Sequence, residues 1–275
     1  MDILVQANCK LGENPLWDTR EACLYWTDID GGTLHRFKDG GHDVIYSGEK
    51  VGGFTLQDDG SLLLFRVRDI ARLVVGEEAV VLREVDEPGM ARFNDVIAAP
   101  NGEVFAGTIG ASKTSGGLYR VGLDGSVTKL FGGTGTANGM GFSPDLSAFY
   151  WTDSTARHIY RFAYDADTNA LSARERVYAA AEDEGTPDGL AMAADGSFYS
   201  ARFRGGAILH HAPDGEVLER LAVDAQNVSS AAFGGPNFDE LFVTTAQGDG
   251  AGAGAIFHHK VGHKGRLEFR SRVLL

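Results

Sequence analysis

Glu13, Gly52, Asn94, Asn138, Asp188 and Ser229 hold equivalent places in a repeat that runs through this 275-residue sequence. Five of these six are polar or charged, and each comes directly before an apolar run. Two carboxylates and two carboxamides at matched places are the residues best able to do chemistry. Turn formation accounts for some of them, since Asn and Asp start turns well. It accounts less well for two acids brought to one axis. Like charges held close repel, and burying them is costly unless a cation lies between. Two carboxylates offset a divalent ion, and Asn carbonyls add neutral oxygens. An all-oxygen set suits Ca²⁺, Mg²⁺ or Mn²⁺. Zn²⁺ usually prefers His or Cys, and these six places hold neither. The repeat alone leaves two readings open, a metal centre or a water-filled channel with a polar lining.

These side chains meet only if the elements that carry them form a ring. The six places are spaced by 39, 42, 44, 50 and 41 residues, so units of about 40–50 residues fill the chain with no linker. Each unit reads as β. A polar residue precedes an apolar alternation, as in Asn94-Asp95-Val96-Ile97-Ala98 and Asp188-Gly189-Leu190-Ala191-Met192. A turn and an aromatic strand follow, as in Phe149-Tyr150-Trp151. A third run comes next, among them Leu34–Phe37, Leu118–Val121, Ile159–Phe162, Ile208–His211 and Ile256–His259. Asp-Gly pairs such as Asp39-Gly40 and Asp214-Gly215 are strong hairpin signals. Four short antiparallel strands per repeat make a propeller blade, and the innermost strand of each blade lines the channel. The expected fold is an all-β, six-bladed β-propeller occupying residues 1–275 as a single domain. Helical periodicity is nearly absent, with room for one turn over 179–184. The last unit lacks a fourth strand and residues 2–8 lack a unit, so the N-terminal strand is expected to complete the last blade and close the ring. The competing architecture, two stacked β-sandwiches, does not require a six-fold repeat.

Composition narrows the function classes. With 25 Lys+Arg against 38 Asp+Glu the formal charge is −13, and no basic stripe is present, which argues against nucleic acid. Hydrophobic residues make up 43%, enough for a full core and against disorder. No apolar run approaches the ~18 residues of a membrane span. The start, Met1-Asp2-Ile3-Leu4-Val5-Gln6, lacks the basic-then-apolar pattern of a secretory signal. The two cysteines, Cys9 and Cys23, form no C-x-x-C. A cytoplasmic protein with reduced thiols is expected, as a monomer or weak homo-oligomer.

The motifs Leu11-Gly12-Glu13-Asn14-Pro15-Leu16-Trp17, Arg92-Phe93-Asn94-Asp95 with Phe105-Ala106-Gly107-Thr108-Ile109, Asn138-Gly139-Met140-Gly141-Phe142-Ser143, Pro187-Asp188-Gly189-Leu190 and Phe233-Gly234-Gly235-Pro236-Asn237 occur in order over nearly the whole chain. Together they resemble the SMP-30/gluconolactonase/LRE family, which includes regucalcin and bacterial sugar lactonases. The resemblance implies a six-bladed propeller with one divalent cation in its channel, Ca, Mn, Mg, Zn or Fe(II). It implies Glu13, Asn138 and Asp188 as the metal ligands, Arg92 and Asn94 as substrate contacts, and Asp188 also as the general base. It further implies hydrolysis of aldonolactones such as gluconolactone, xylonolactone or arabinonolactone. Sugar-binding relatives often place a glutamate after the Gly107-Thr108-Ile109 motif. Here Ser112 stands at that place, and serine holds a sugar hydroxyl less strongly than a charged acceptor.

On this reading the substrate is a small neutral sugar lactone. The cation polarises the carbonyl, Asp188 activates water and Arg92 binds ring hydroxyls. Two other readings compete. One is a non-catalytic, regucalcin-like propeller that binds a metal or small ligand, because fold does not choose function. The other is an esterase or organophosphate hydrolase, because a cation polarises P=O as well as C=O. Other features carry less. Gly248–Gly254 has no lysine and opens no helix, so it reads as a surface connection. His210-His211 and His258-His259 point to opposite strand faces and cannot chelate as pairs. Ser229 and Ser230 lack a nucleophile elbow. Trp17, Trp26 and Trp151 read as packing between blades.

Overall fold

The computed structural model describes residues 1–274. Its strands form six four-stranded antiparallel sheets, each built from consecutive strands except the last. The first blade holds Gly12–Asp18, Cys23–Asp28, Thr33–Lys38 and Gly41–Ser47. The second holds Gly53–Leu56, Leu62–Phe65, Asp69–Leu73 and Val80–Glu84. The third holds Met90–Ala98, Val104–Gly110, Gly116–Val121 and Val127–Thr134. The fourth holds Ala137–Phe142, Ala148–Asp153, His158–Asp165 and Ala170–Ala179. The fifth holds Thr186–Met192, Phe198–Phe203, Ala207–His211 and Val217–Ala222. In the sixth, Val228–Gly234, Glu240–Thr245 and Ile256–Lys260 are completed by Asp2–Val5 from the other end of the chain. The ring is therefore closed by the N-terminal strand, and the six-fold repeat is a propeller rather than a pair of sandwiches. A single short helical element, the 3₁₀ turn Glu182–Glu184, stands where the sequence left room for one.

Local chemistry explains the blades. Asp39 and Gly40 both adopt positive φ, 51° and 79°, the primed turn whose twist matches its flanking strands. The first three strands of each blade bury apolar residues, and the outermost leave Val44, Val80, Val81, Val217 and Leu218 exposed. Aromatic side chains cement neighbouring blades. Trp17 stacks on Phe242 at 5.5 Å, joining the first blade to the sixth, and Trp151 meets Phe131 edge-on at 5.0 Å, joining the fourth to the third. Trp26 stacks within its own blade on His35 and His42 and also packs against Val5 and Ile256 of the sixth.

The innermost strands share a feature that period-two reading does not expect. In five of the six blades the inner ladder shifts register at the repeat position, between Glu13 and Leu16, Phe93 and Val96, Asn138 and Met140, Pro187 and Leu190, and Val228 and Ser230. Such bulges re-aim a side chain locally. The second blade has an unbroken inner ladder from Gly53 to Leu56, and its repeat position is Gly52. A Cβ on Gly52 would lie 2.0 Å from the Phe93 carbonyl oxygen, so the neighbouring blade occupies the space a side chain would need.

Beyond the last strand, residues 261–274 run as an arm across the face opposite the bulges. The Gly265 amide donates to Phe238 O of the sixth blade, and Lys264 O accepts from Ala194 of the fifth. Arg266 donates to Ser143 O of the fourth. Arg270 pairs with Asp18 of the first. Ser271 exchanges backbone bonds with Leu56 and Asp58 of the second, and Arg272 and Leu274 donate to Gly102 O and Leu123 O of the third. One segment thus touches all six blades.

Candidate active site

Bulged strand starts from four blades converge at one mouth of the channel. Glu13, Arg92, Asn94, Asn138 and Asp188 line a single cavity of about 240 Å³, together with Leu11, Ile109, Thr136, Ser154, Thr186, Phe203 and Arg204. All five side chains singled out in the sequence are therefore neighbours, although up to 175 residues (188 − 13) separate them in the chain. Glu13, Asn94, Asn138 and Asp188 are each only 5–8% exposed.

The amides form a directed chain. Arg92 Nη1 donates to Asn94 Oδ1 at 2.6 Å and to Phe93 O at 2.8 Å. Asn94 Nδ2 donates to Asn138 Oδ1 at 2.5 Å and to Ala137 O at 2.9 Å. Asn138 Nδ2 donates to Ser154 Oγ, which passes its own proton to Pro187 O at 2.6 Å. Every amide orientation in this chain is fixed by its neighbours. Asn138 Oδ1 consequently faces the cavity as an acceptor with one lone pair left.

The acids are not satisfied in the same way. Asp188 Oδ1 is buried and has no hydrogen-bond partner among the described residues. Burial, then repulsion from Asp188 and Asp95, holds the Glu13 carboxyl well above its usual range. Burial, then Asp95, does the same to Asp188. The Arg92 guanidinium opposes both shifts and is itself disfavoured by burial. One guanidinium facing two buried carboxylates leaves excess negative charge and an orphaned oxygen. The donors Glu13, Asp188 and Asn138 are all oxygens, and they fit a hard divalent cation.

Two ring positions do not join this group. Gly52 has no side chain to offer. Ser229 is fully buried and donates to Gly12 O at 2.5 Å, where it stitches the sixth blade to the first. Ser112 lies in the exposed loop outside the cavity lining, which instead receives Ile109 from that segment.

Sequence reasoning missed several residues. Asp95 points the other way from Asn94. It lines a small cavity of about 40 Å³ toward the arm, with Asn14, Thr55, Ser230 and Glu268. Burial pushes both Asp95 and Glu268 up to about 7. The Asn-Asp pair at 94–95 was a visible signal for the first of these. Glu268 lies outside the repeat and gave none. Thr136, Ser154, Phe203 and Arg204 sit at or just beyond strand ends that the repeat predicts but does not mark.

A separate buried trio, Cys9, Asp28 and His35, also places potential ligand atoms within 4.8 Å of one another. Its donors are already engaged. The Asp28 carboxylate accepts the amides of Lys10, Leu11 and Gly31. Both His35 nitrogens are bound, to Thr33 and His42. Burial pushes the Cys9 thiol up to about 12. This trio holds the first blade's loops together.

Comparison with known proteins agrees with the geometry. Residues 11–247 match the SMP-30/gluconolactonase/LRE-like family. The chain belongs to that family. Among its relatives, a pentonolactonase of Haloferax volcanii is 45% identical over 99% of this chain and 98% of its own. A 6-deoxy-6-sulfogluconolactonase of Pseudomonas putida is 32% identical over 86% of this chain and 84% of its own. A solved structure of a calcium-binding regucalcin from Agrobacterium tumefaciens superposes with a TM-score of 0.92 at 26% identity, covering 98% of this chain and 97% of that one.

Proposed function

We propose that this chain is a sugar lactone hydrolase whose substrate is a small neutral aldonolactone, with Glu13, Asn138 and Asp188 as the ligands of one divalent cation. The observation that carries the reading is Asp188 Oδ1, a buried oxygen with no partner among the described residues, on a side chain that lines one cavity with Glu13 and Asn138. The lactonase activities named for the two relatives supply the reaction class. A cavity of about 240 Å³ lies below the ~300–1,000 Å³ of drug-sized sites and suits a single sugar ring.

When bound, the cation supplies polarisation of the lactone carbonyl and charge neutralisation for the two acids. The protein's residues do the rest. Arg92 and Asn94 orient the ring, with Arg92 held in place by its bonds to Asn94 Oδ1 and Phe93 O. Asp188 takes a proton from the attacking water. The water oxygen bonds to the carbonyl carbon and the ring C–O bond breaks. The departing ring oxygen recovers the proton, leaving a hydroxy acid that ionises to an aldonate. The protein's net charge of −13 favours departure of this anionic product.

The test is hydrolysis of pentono- and hexonolactones by protein stripped with chelator and then supplied with Ca²⁺, Mn²⁺, Mg²⁺, Zn²⁺ or Fe²⁺. Metal-restored turnover supports the assignment. Tight cation binding without turnover of any lactone overturns it in favour of a binding propeller.

A further inference from the structure

We infer that Arg204 is a specificity residue that binds the hydroxyl-bearing exocyclic arm of the substrate, an inference that rests on the lactonase reading above. Arg204 sits in the turn between Phe198–Phe203 and Ala207–His211, and its side chain lines the same cavity as Glu13 and Asp188. The cavity has a direction. Its floor is the buried Glu13, Asn138 and Asp188, and its rim includes the exposed Arg204. A lactone whose carbonyl reaches the floor must therefore point its exocyclic carbon outward, toward the rim.

The backbone at this residue is held in an unfavourable shape. Arg204 has φ of +62°, a left-handed conformation that is unfavourable for a residue other than glycine. The turn around it is fixed from several sides. Gly205 N–H donates to Arg202 O, Gly206 N–H to Gln226 O, and the Arg220 guanidinium to Gly205 O. Gly185 packs so closely that a Cβ there would lie 2.6 Å from Gly205 Cα. Local strain kept in place by such over-determined surroundings gathers at functional sites.

The guanidinium itself is free. Among the described residues Arg204 makes no ion pair and no side-chain hydrogen bond, whereas Arg92, Arg157, Arg202 and Arg220 all donate to protein acceptors. Arg92 spends its Nη1 on Phe93 O and Asn94 Oδ1 close to the floor. Arg204, at the rim, has every guanidinium donor unassigned among the described residues. Its rim neighbours Leu11, Ile109, Thr136 and Phe203 carry no charge. A lone guanidinium among neutral side chains offers charge-assisted donors to hydroxyl oxygens, and the protein's net charge of −13 disfavours an anionic arm.

Steady-state kinetics of the metal-loaded enzyme tests this on three 1,4-lactones that differ only in the arm. Erythronolactone has no exocyclic carbon, a pentonolactone has one, and a hexonolactone has two. For Arg204→Ala we expect KM for the armed lactones to rise about tenfold. Their kcat should hold within about twofold, so that preference for armed over armless substrate falls about tenfold. Arg204→Lys should recover part of that preference. Arg204→Gly, which relaxes the left-handed backbone, should match Arg204→Ala. An equal loss on all three lactones, a fall confined to kcat, an unchanged preference, or an effect seen only with sulfonated or phosphorylated arms would each overturn the assignment. Failure of the wild-type enzyme on every lactone, by contrast, would remove the lactonase reading itself and this inference with it.

Discussion

Asn94 Nδ2 lies 2.5 Å from Asn138 Oδ1, so a carboxamide of the third blade sets the orientation of one in the fourth. Arg92 in turn fixes which end of Asn94 faces Asn138, because its guanidinium can only donate. The order Arg92, Asn94, Asn138, Ser154 is therefore a single polarity running across two blades. Truncating Asn94 to Ala removes the donor that fixes Asn138 Oδ1 and, on the function proposed above, a substrate contact. The expected outcome is a loss of about 10- to 100-fold in cation affinity or kcat/KM. Calorimetric titration of the cation alongside kinetics measures both. An Asn94→Ala protein with wild-type values in both assays would disprove the positioning role.

Asp188 should show opposite effects on activity and on stability. Asp188→Asn removes a buried carboxylate that repels Glu13 and whose Oδ1 has no partner, while keeping the side chain's shape. In chelator-treated protein this relieves repulsion, and a gain of about 1–2 kcal/mol is expected, or a few degrees in Tm. With a divalent cation present, the wild type should gain Tm and the variant far less. Turnover by Asp188→Asn and Asp188→Ala should be abolished. Thermal melts with and without Mn²⁺ or Ca²⁺ read the stability half. Retention of wild-type kcat by either variant would remove Asp188 from the mechanism.

Acid should weaken the fold through His211. Its Nδ1 lies 3.0 Å from Gly215 O and its Nε2 2.9 Å from the Arg202 guanidinium, so the ring is neutral, donating to one and accepting from the other. Burial, then the Arg202 charge, pulls it down to about 4. The unfolded chain therefore binds the proton more readily than the folded one between pH 6.5 and 4. Stability is complete above pH 6.5 and falls as pH drops through that window, by up to about 3 kcal/mol. Denaturant midpoints at pH 7.5, 5.5 and 4.5 measure the slope, and His211→Phe should reduce it, the remainder coming from groups such as His35, which burial also pulls down to about 4. An identical slope in the variant would assign the acid sensitivity elsewhere.

The arm can be tested at one atom. A Cβ on Gly265 would sit 2.0 Å from Phe233 Cβ, and Gly265 pairs with Ala193 in an isolated bridge. Gly265→Val should lift the arm and cost about 1–3 kcal/mol. Equilibrium unfolding reads that loss. Hydrogen exchange should localise it to the amides of Asp58 and Ala194, which donate to the arm, and to the arm's own Gly265, Ser271, Arg272 and Leu274 amides. A variant as stable as the wild type would mean that the arm contributes nothing to holding the blades.

The repeat made the blade number, the closing strand and four cavity residues legible, because Glu13, Asn94, Asn138 and Asp188 each stand at the same place before an apolar strand; Arg92 was legible only through the family resemblance. The bulges were not legible. They depend on how one inner ladder packs on the next, as the empty position at Gly52 illustrates. For the same reason the repeat put Ser229 on the axis, whereas its hydroxyl turns aside to bind Gly12 O. Glu268 and Arg204 escaped for different causes. Glu268 belongs to a segment with no repeat partner. Arg204 has unremarkable chemistry until a left-handed turn delivers it to the rim.

The pairing of Asp2–Val5 with Ile256–Lys260 has a consequence for how this protein is made. As the chain leaves the ribosome, the strand Asp2–Val5 must wait, unpaired, until Ile256–Lys260 has been synthesised. Five sheets can assemble in order behind it, but the circle cannot lock until the last of them is present. Sealing is then a contact of very long sequence separation, slow to form and exposed to wrong partners meanwhile. A second nascent copy nearby offers the same Ile256–Lys260 edge, so exchange of first strands between molecules is the characteristic error this architecture invites.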